Sequence, residues 1–119
     1  MKSKTLPYFG ALLLALLLLA PAQAQNQQEL NQQAYAEFVA ADEELNSLWK
    51  SVISRLQPPR RDKVIAAQLA WLSYRDAEVA ARVSFWEGGS MAPLIFHSTM
   101  AELTKARSKL LRRWLEDFS

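Results

Sequence analysis

Residues 30–56, LNQQAYAEFVAADEELNSLWKSVISRL, decide the fold. Within them Leu30, Ala34, Phe38, Ala41, Leu45, Leu48, Val52 and Leu56 recur at steps of three and four. That spacing returns to one side of a 3.6-residue helix, whereas a half-buried strand would alternate at every second residue. Neither Gly nor Pro interrupts the stretch. The pattern predicts a first helix from about Asn26 to Leu56, with Asn26 and Glu29 spaced as a capping pair.

Outward from this stretch, the breakers divide the chain. Beyond residue 24 the prolines are at 58, 59 and 93, and the glycines at 88 and 89. Helix interiors exclude Pro and disfavour Gly, so these positions mark helix ends. A second helix is expected from about Arg61 to Glu87, with Asp62 in its first turn and Gly88 as the left-handed closing residue. A third follows Ser90, a good N-cap, with Pro93 in its first turn, where a missing N–H does no harm. Its apolar stripe is Phe96, Met100, Leu103, Leu110, Leu111, Trp114 and Phe118. The expected fold class is all-α: three long helices running up-down-up, each antiparallel to the next and about 40 Å long at 1.5 Å per residue. The middle helix is expected to touch both others. Val64, Ile65, Trp71, Leu72, Tyr74, Val79, Val83, Phe85 and Trp86 give it the widest apolar arc.

The N-terminus reads as a targeting segment. Lys2 and Lys4 precede an apolar run from Tyr8 to Ala20, Pro21 ends the run, and Ala22-Gln23-Ala24 fits a small-x-small cleavage site. Thirteen apolar residues are too few to span a bilayer comfortably, since spanning takes about 20. Cleavage after Ala24 is expected, leaving a single domain over residues 25–119 in the periplasm or outside the cell; an uncleaved interfacial anchor is the alternative. Without the leader, 12 basic residues face 12 acidic ones. A nucleic-acid partner would ask for a net basic surface, so none is expected, nor is stable membrane insertion after cleavage. There is no Cys, so packing alone must hold a small core.

Polar residues interrupt the apolar faces. Gln68, Arg75 and Arg82, seven apart, stack along the wide arc of the second helix. Arg107 lies between Leu103, Leu110 and Leu111, and Asp42 lies in the arc of Phe38, Trp49 and Ile53. A turn centred on Pro58 and Pro59 sets Asp42 opposite Arg75, and one centred on Gly89 brings Arg75 within a turn of Arg107. The reading favoured is a structural ion-pair cluster of Asp42, Arg75 and Arg107, with Asn46, Gln68 and Thr104 as neutral partners, because a buried charge must be paired. The alternatives are arginines that snorkel along the seams, or a ligand site.

Catalytic chemistry has little to stand on. His97 is the one histidine, and a zinc site needs several His or Cys ligands. No nucleophile motif surrounds a serine. Asp42, Glu43 and Glu44 are adjacent on a helix and point apart. Gly88-Gly89-Ser90 lacks the spaced glycines and the Lys of a phosphate loop. The four tryptophans, at 49, 71, 86 and 114, sit at core spacing. No enzyme activity, metal or cofactor is expected.

Several strings together point to a family. They are Ala41-Asp42-Glu43-Glu44-Leu45-Asn46, then Gln68 to Glu78 (QLAWLSYRDAE), then Gly88-Gly89-Ser90 and Leu103-Thr104-Lys105-Ala106-Arg107. Their order and spacing resemble the lysozyme inhibitor LprI N-terminal domain family, also called YecT-like, over roughly Leu30 to Leu111. The Trp-x-x-Tyr-Arg-Asp string followed by Gly-Gly-Ser carries most of the resemblance. It implies a small helical domain of the bacterial envelope, a protein partner, and inhibition of lysozyme as an activity. Members often have cysteines, and the corresponding places here hold Gln33, Val79 and Thr99. Two functions follow. An inhibitor of a cell-wall hydrolase would occlude a cleft with a protruding loop, for which Gly88, Gly89 and Ser90 are the candidates, or with the acidic face at Asp42 to Glu44. A structural or adaptor protein of the envelope would instead dock through its helix faces.

Overall fold

The computed structural model describes the backbone of residues 6–117 and the side chains of residues 26–117. The side chains of the leader and its cleavage site lie outside the described residues, as does Phe118. Three helices follow one another: α1 (Leu6–Ser54), α2 (Arg60–Ser84) and α3 (Ala92–Asp117). The described residues contain no strand, so the fold is all-α and runs up-down-up. No helix among the described residues is long and apolar enough to cross a membrane.

The helix ends differ from the expected ones in detail. Asn26 is inside α1, so with Glu29 it caps nothing. The second helix ends at Ser84, and the backbone then turns through Trp86 N–H to Val83 O at 2.8 Å and Gly89 N–H to Trp86 O at 3.1 Å. Gly88 takes φ +79°, the left-handed region that Gly enters without a Cβ penalty. Pro93 lies in the first turn of α3, and Ser90 precedes the helix by two residues.

The packing order is the main departure. The helix in the middle is α3, which packs along α1 and against α2, while α1 and α2 barely touch directly. Because the chain runs up-down-up, α1 and α3 are parallel. Tyr35 meets His97 edge-on at one end, and Arg55 Nη1 donates to the Leu115 carbonyl at the other, at 3.4 Å. Glu44 and Arg112 form an ion pair between them.

The α1–α3 seam explains the order. On α3 the buried residues Met100, Ala101, Thr104, Ser108 and Leu111 repeat at near-heptad spacing. On α1, Ala34, Ala41, Leu45 and Val52 do the same. Parallel helices with a 3.5-residue repeat keep such stripes facing along their length. Toward the Gly-Gly end the stripe holds Ala34, Ala41, Met100, Ala101 and Thr104; toward the Pro-Pro end it holds Leu45, Val52 and Leu111, with Ser108 among them. There Leu45, Val52, Leu56 and Leu111 form the main cluster, and α2 reaches it through Val64 and Trp71. The apolar arc of α2 is therefore only partly covered. Leu69 and Tyr74 stay 60% and 54% exposed.

Two substitutions test the seam. Leu111→Ala removes a fully buried side chain and is expected to cost about 2–5 kcal/mol in urea unfolding. The Thr104 hydroxyl is buried with no hydrogen-bond partner. Thr104→Val should therefore match or exceed wild-type stability, since an unpartnered buried hydroxyl costs about 1–3 kcal/mol.

Candidate functional site

The in-facing polar residues fall into separate groups. Arg107 on α3 donates from Nε to Gln68 Oε1 on α2 at 2.9 Å. Its Cζ lies 5.8 Å from the Trp71 ring centroid and 5.4 Å from that of Trp114. Arg75 brings its own Cζ to 5.3 Å from Trp71, so two guanidinium groups lie within cation–π range of one indole. Burial pushes the Arg107 guanidinium below its ordinary value. It remains a cation, since a guanidinium keeps its proton throughout the physiological pH range.

Asp42 and Arg75 do not meet. Asp42 accepts from Asn46 Nδ2 at 3.4 Å on its own helix, and Arg75 pairs with its neighbour Asp76 at 3.1 Å. The cause is the packing order. The proposed register set α1 against α2, whereas the partner of both helices is α3. Of the six residues proposed as one network, the structure joins Gln68 to Arg107 and Asp42 to Asn46; Thr104 lies in the seam without a partner. Farther along α2, Arg82 links two helices by donating to Glu78 at 3.2 Å and to Glu102 on α3 at 2.6 Å. The bond to Glu102, and after it the bond to Glu78, raises the Arg82 pKa.

Two surfaces are open. Between α1 and α2 a groove of about 350 Å³ is lined by Trp49, Ile53, Ile65, Leu69 and Leu72, with Gln68 and Arg61 as its polar residues. At the opposite end of α2 the turn into α3 carries Phe85, 87% exposed, and Trp86, 44% exposed, beside Gly88, Gly89 and Ser90. Large aromatics left in water at a tight turn are the residue types that anchor protein interfaces. The sequence assigned both to the core because they continue the arc of α2. Their position against the helix-ending glycines is the signal that separates them from it. His97 lies between Tyr35 and Phe96, at 5.2 Å from each ring. Among the described residues no three His, Cys, Asp or Glu side chains gather as a metal site.

The fold is thus that of a small up-down-up helical domain with an exposed aromatic turn. The chain belongs to the lysozyme inhibitor LprI family, whose model matches residues 20–111. An uncharacterized protein of Rhizobium meliloti (strain 1021) is 31% identical, over 89% of this chain and 93% of its own. The crystal structure of a DUF1311 family protein from Pseudomonas putida KT2440 superposes with a TM-score of 0.67 at 22% identity, over 72% of this chain and 90% of that one. At that identity the likeness is one of fold.

Double-mutant cycles separate the two polar groups. Asp42→Ala and Arg75→Ala are expected to add within about 0.5 kcal/mol, as sites without shared partners do. Gln68→Ala and Arg107→Ala should deviate from additivity by about 0.5–3 kcal/mol, because they remove two ends of one bond.

Proposed function

We propose that the protein is an exported inhibitor of a cell-wall hydrolase of the lysozyme type. It acts by seating the turn from Phe85 to Ser90 in the enzyme's cleft. The observation that carries the reading is the exposure of Phe85 and Trp86 beside Gly88-Gly89-Ser90, together with the family's description as lysozyme inhibitors. The helical pair of α2 and α3 presents the turn at one end of the domain, with Arg82 paired to Glu78 and Glu102 just behind it. A turn closed by its own backbone hydrogen bonds loses less conformational entropy on binding than an open loop of the same length. The chain's own chemistry asks for no catalytic step.

An adaptor role in the envelope is the second reading. The groove between α1 and α2, with Leu69 at its edge, is what favours it.

Lysozyme turnover on cell-wall substrate, measured against added protein, separates the two. Inhibition at micromolar concentration is expected. Phe85→Ser with Trp86→Ser should weaken it at least about tenfold, since interface aromatics commonly contribute about 2 kcal/mol or more. No inhibition by the wild type would favour the adaptor. Inhibition unchanged in the double variant would place the contact elsewhere on the molecule.

Export is read from Lys2, Lys4, the run from Tyr8 to Ala20 and Ala22-Gln23-Ala24. The proposed mature protein is one domain of residues 25–119, periplasmic or secreted. N-terminal sequencing of the protein from a periplasmic fraction should begin at Gln25; an intact Met1 there would contradict cleavage.

A further inference from the structure

Charge is separated along the molecule. With α1 and α3 parallel and α2 reversed, residues 26–44 and 73–104 occupy the half that ends at the Gly88-Gly89 turn, and residues 45–72 and 105–117 the half that ends at the Pro58-Pro59 turn. The first half holds nine carboxylates and two guanidinium groups; the second holds ten cations and three carboxylates. Formal charges of −7 and +7 therefore sit at opposite ends of a domain whose described part is neutral overall.

The basic end also has shape. A cleft of about 450 Å³ at the Pro58-Pro59 turn is lined by Arg55, Arg60 and Lys63, with Gln57 between them. Arg60, Arg61 and Lys63 take part in none of the ion pairs among the described residues, and Arg55 spends one N–H on the Leu115 carbonyl. Asp62 is the carboxylate on this turn, and it too forms no ion pair there. All four cations are exposed, as are Arg112 and Arg113 on the last turns of α3.

We propose that this end docks on the anionic headgroups of a phospholipid bilayer and holds the protein end-on, with the Phe85–Ser90 turn directed away from the surface. Clustered exposed Lys and Arg are drawn to an anionic lipid surface within a Debye length, and the acidic half is repelled from it. The attraction and the repulsion favour the same orientation. The cations are spread over two helix ends and face water, which suits a surface of many charges better than one enclosed small anion. Docking of this kind is independent of hydrolase inhibition. It asks only that the chain reach a membrane surface, as export would allow.

Vesicle co-sedimentation tests the proposal, using the protein purified from the cell envelope in the form it has there. Binding is expected to vesicles of mixed phosphatidylglycerol and phosphatidylcholine and not to phosphatidylcholine alone. It should weaken at least about tenfold between about 50 mM and 300 mM NaCl. The folded variant Arg55→Gln, Arg60→Gln, Lys63→Gln should bind at least about tenfold more weakly, with an unchanged helical spectrum. Glu37→Gln with Glu43→Gln, in the acidic half, should bind at least as well as wild type. Equal binding to both vesicle types would overturn the proposal, as would wild-type binding by the triple variant. Release by millimolar inorganic phosphate at constant ionic strength would show a small-anion cleft instead. Concentration-dependent growth of the sedimentation coefficient at low salt without vesicles would show that the basic end meets the acidic end of a second copy. Either result would replace the membrane as the occupant.

Discussion

The close parallel packing of α1 on α3 is the constraint on which the rest depends. Ala34 and Ala41 on one side, and Ala101, Thr104 and Ser108 on the other, are all buried. Small side chains let two helices approach along several turns, and Leu45, Val52 and Leu111 fill the seam toward the Pro58-Pro59 end. Once α3 is committed to α1, α2 can cover only what remains of α3. It does so through Val64, Trp71 and Val79, the Gln68–Arg107 bond and the Arg82–Glu102 pair. A helix held from one side leaves its other side in water. The groove beside Leu69 and the open aromatic turn both follow from that geometry.

This also explains how the polar interior is tolerated. Arg107 keeps its charge in a half-buried place because Gln68 accepts from it and the indoles of Trp71 and Trp114 lie within cation–π range. The linkage holds α2 to α3 near the middle of both helices. Arg82 does the same nearer the turn with carboxylates from two helices. The Gln68–Arg107 bond is the more buried of the two links, and specifying register is the best-attested use of buried polar contacts.

The helices and their breaks were legible in sequence because Pro58, Pro59, Gly88 and the three-and-four spacing of α1 act locally. The order of packing was not. Width of apolar arc points to α2, with its Trp, Tyr and Phe residues, as the central helix. The centre instead belongs to α3, whose buried positions include Thr99, Thr104 and Ser108, residues that a count of large apolar side chains passes over. The Asp42–Arg75 register depends on α2 lying against α1, and the core placing of Phe85 and Trp86 depends on their continuing the arc of α2. The aromatic turn and the basic cleft are three-dimensional features, though their ingredients sit together in sequence at 85–90 and 55–63. Net charge hides the separation along the molecule, because neutrality is the average of two halves of opposite sign.

Native-state hydrogen exchange, resolved by residue, tests the primacy of the α1–α3 seam most directly. Helices joined along the larger buried seam open only with the whole molecule, and a helix docked through fewer buried contacts opens earlier. Amides of α1 around Ala41 to Val52 and of α3 around Ala101 to Leu111 should exchange only through global unfolding. Those of α2 from Leu69 to Ser84 should exchange through a smaller, separate opening that leaves α1 and α3 protected. Protection of α2 equal to that of α3, with α1 the first helix to open, would contradict the account.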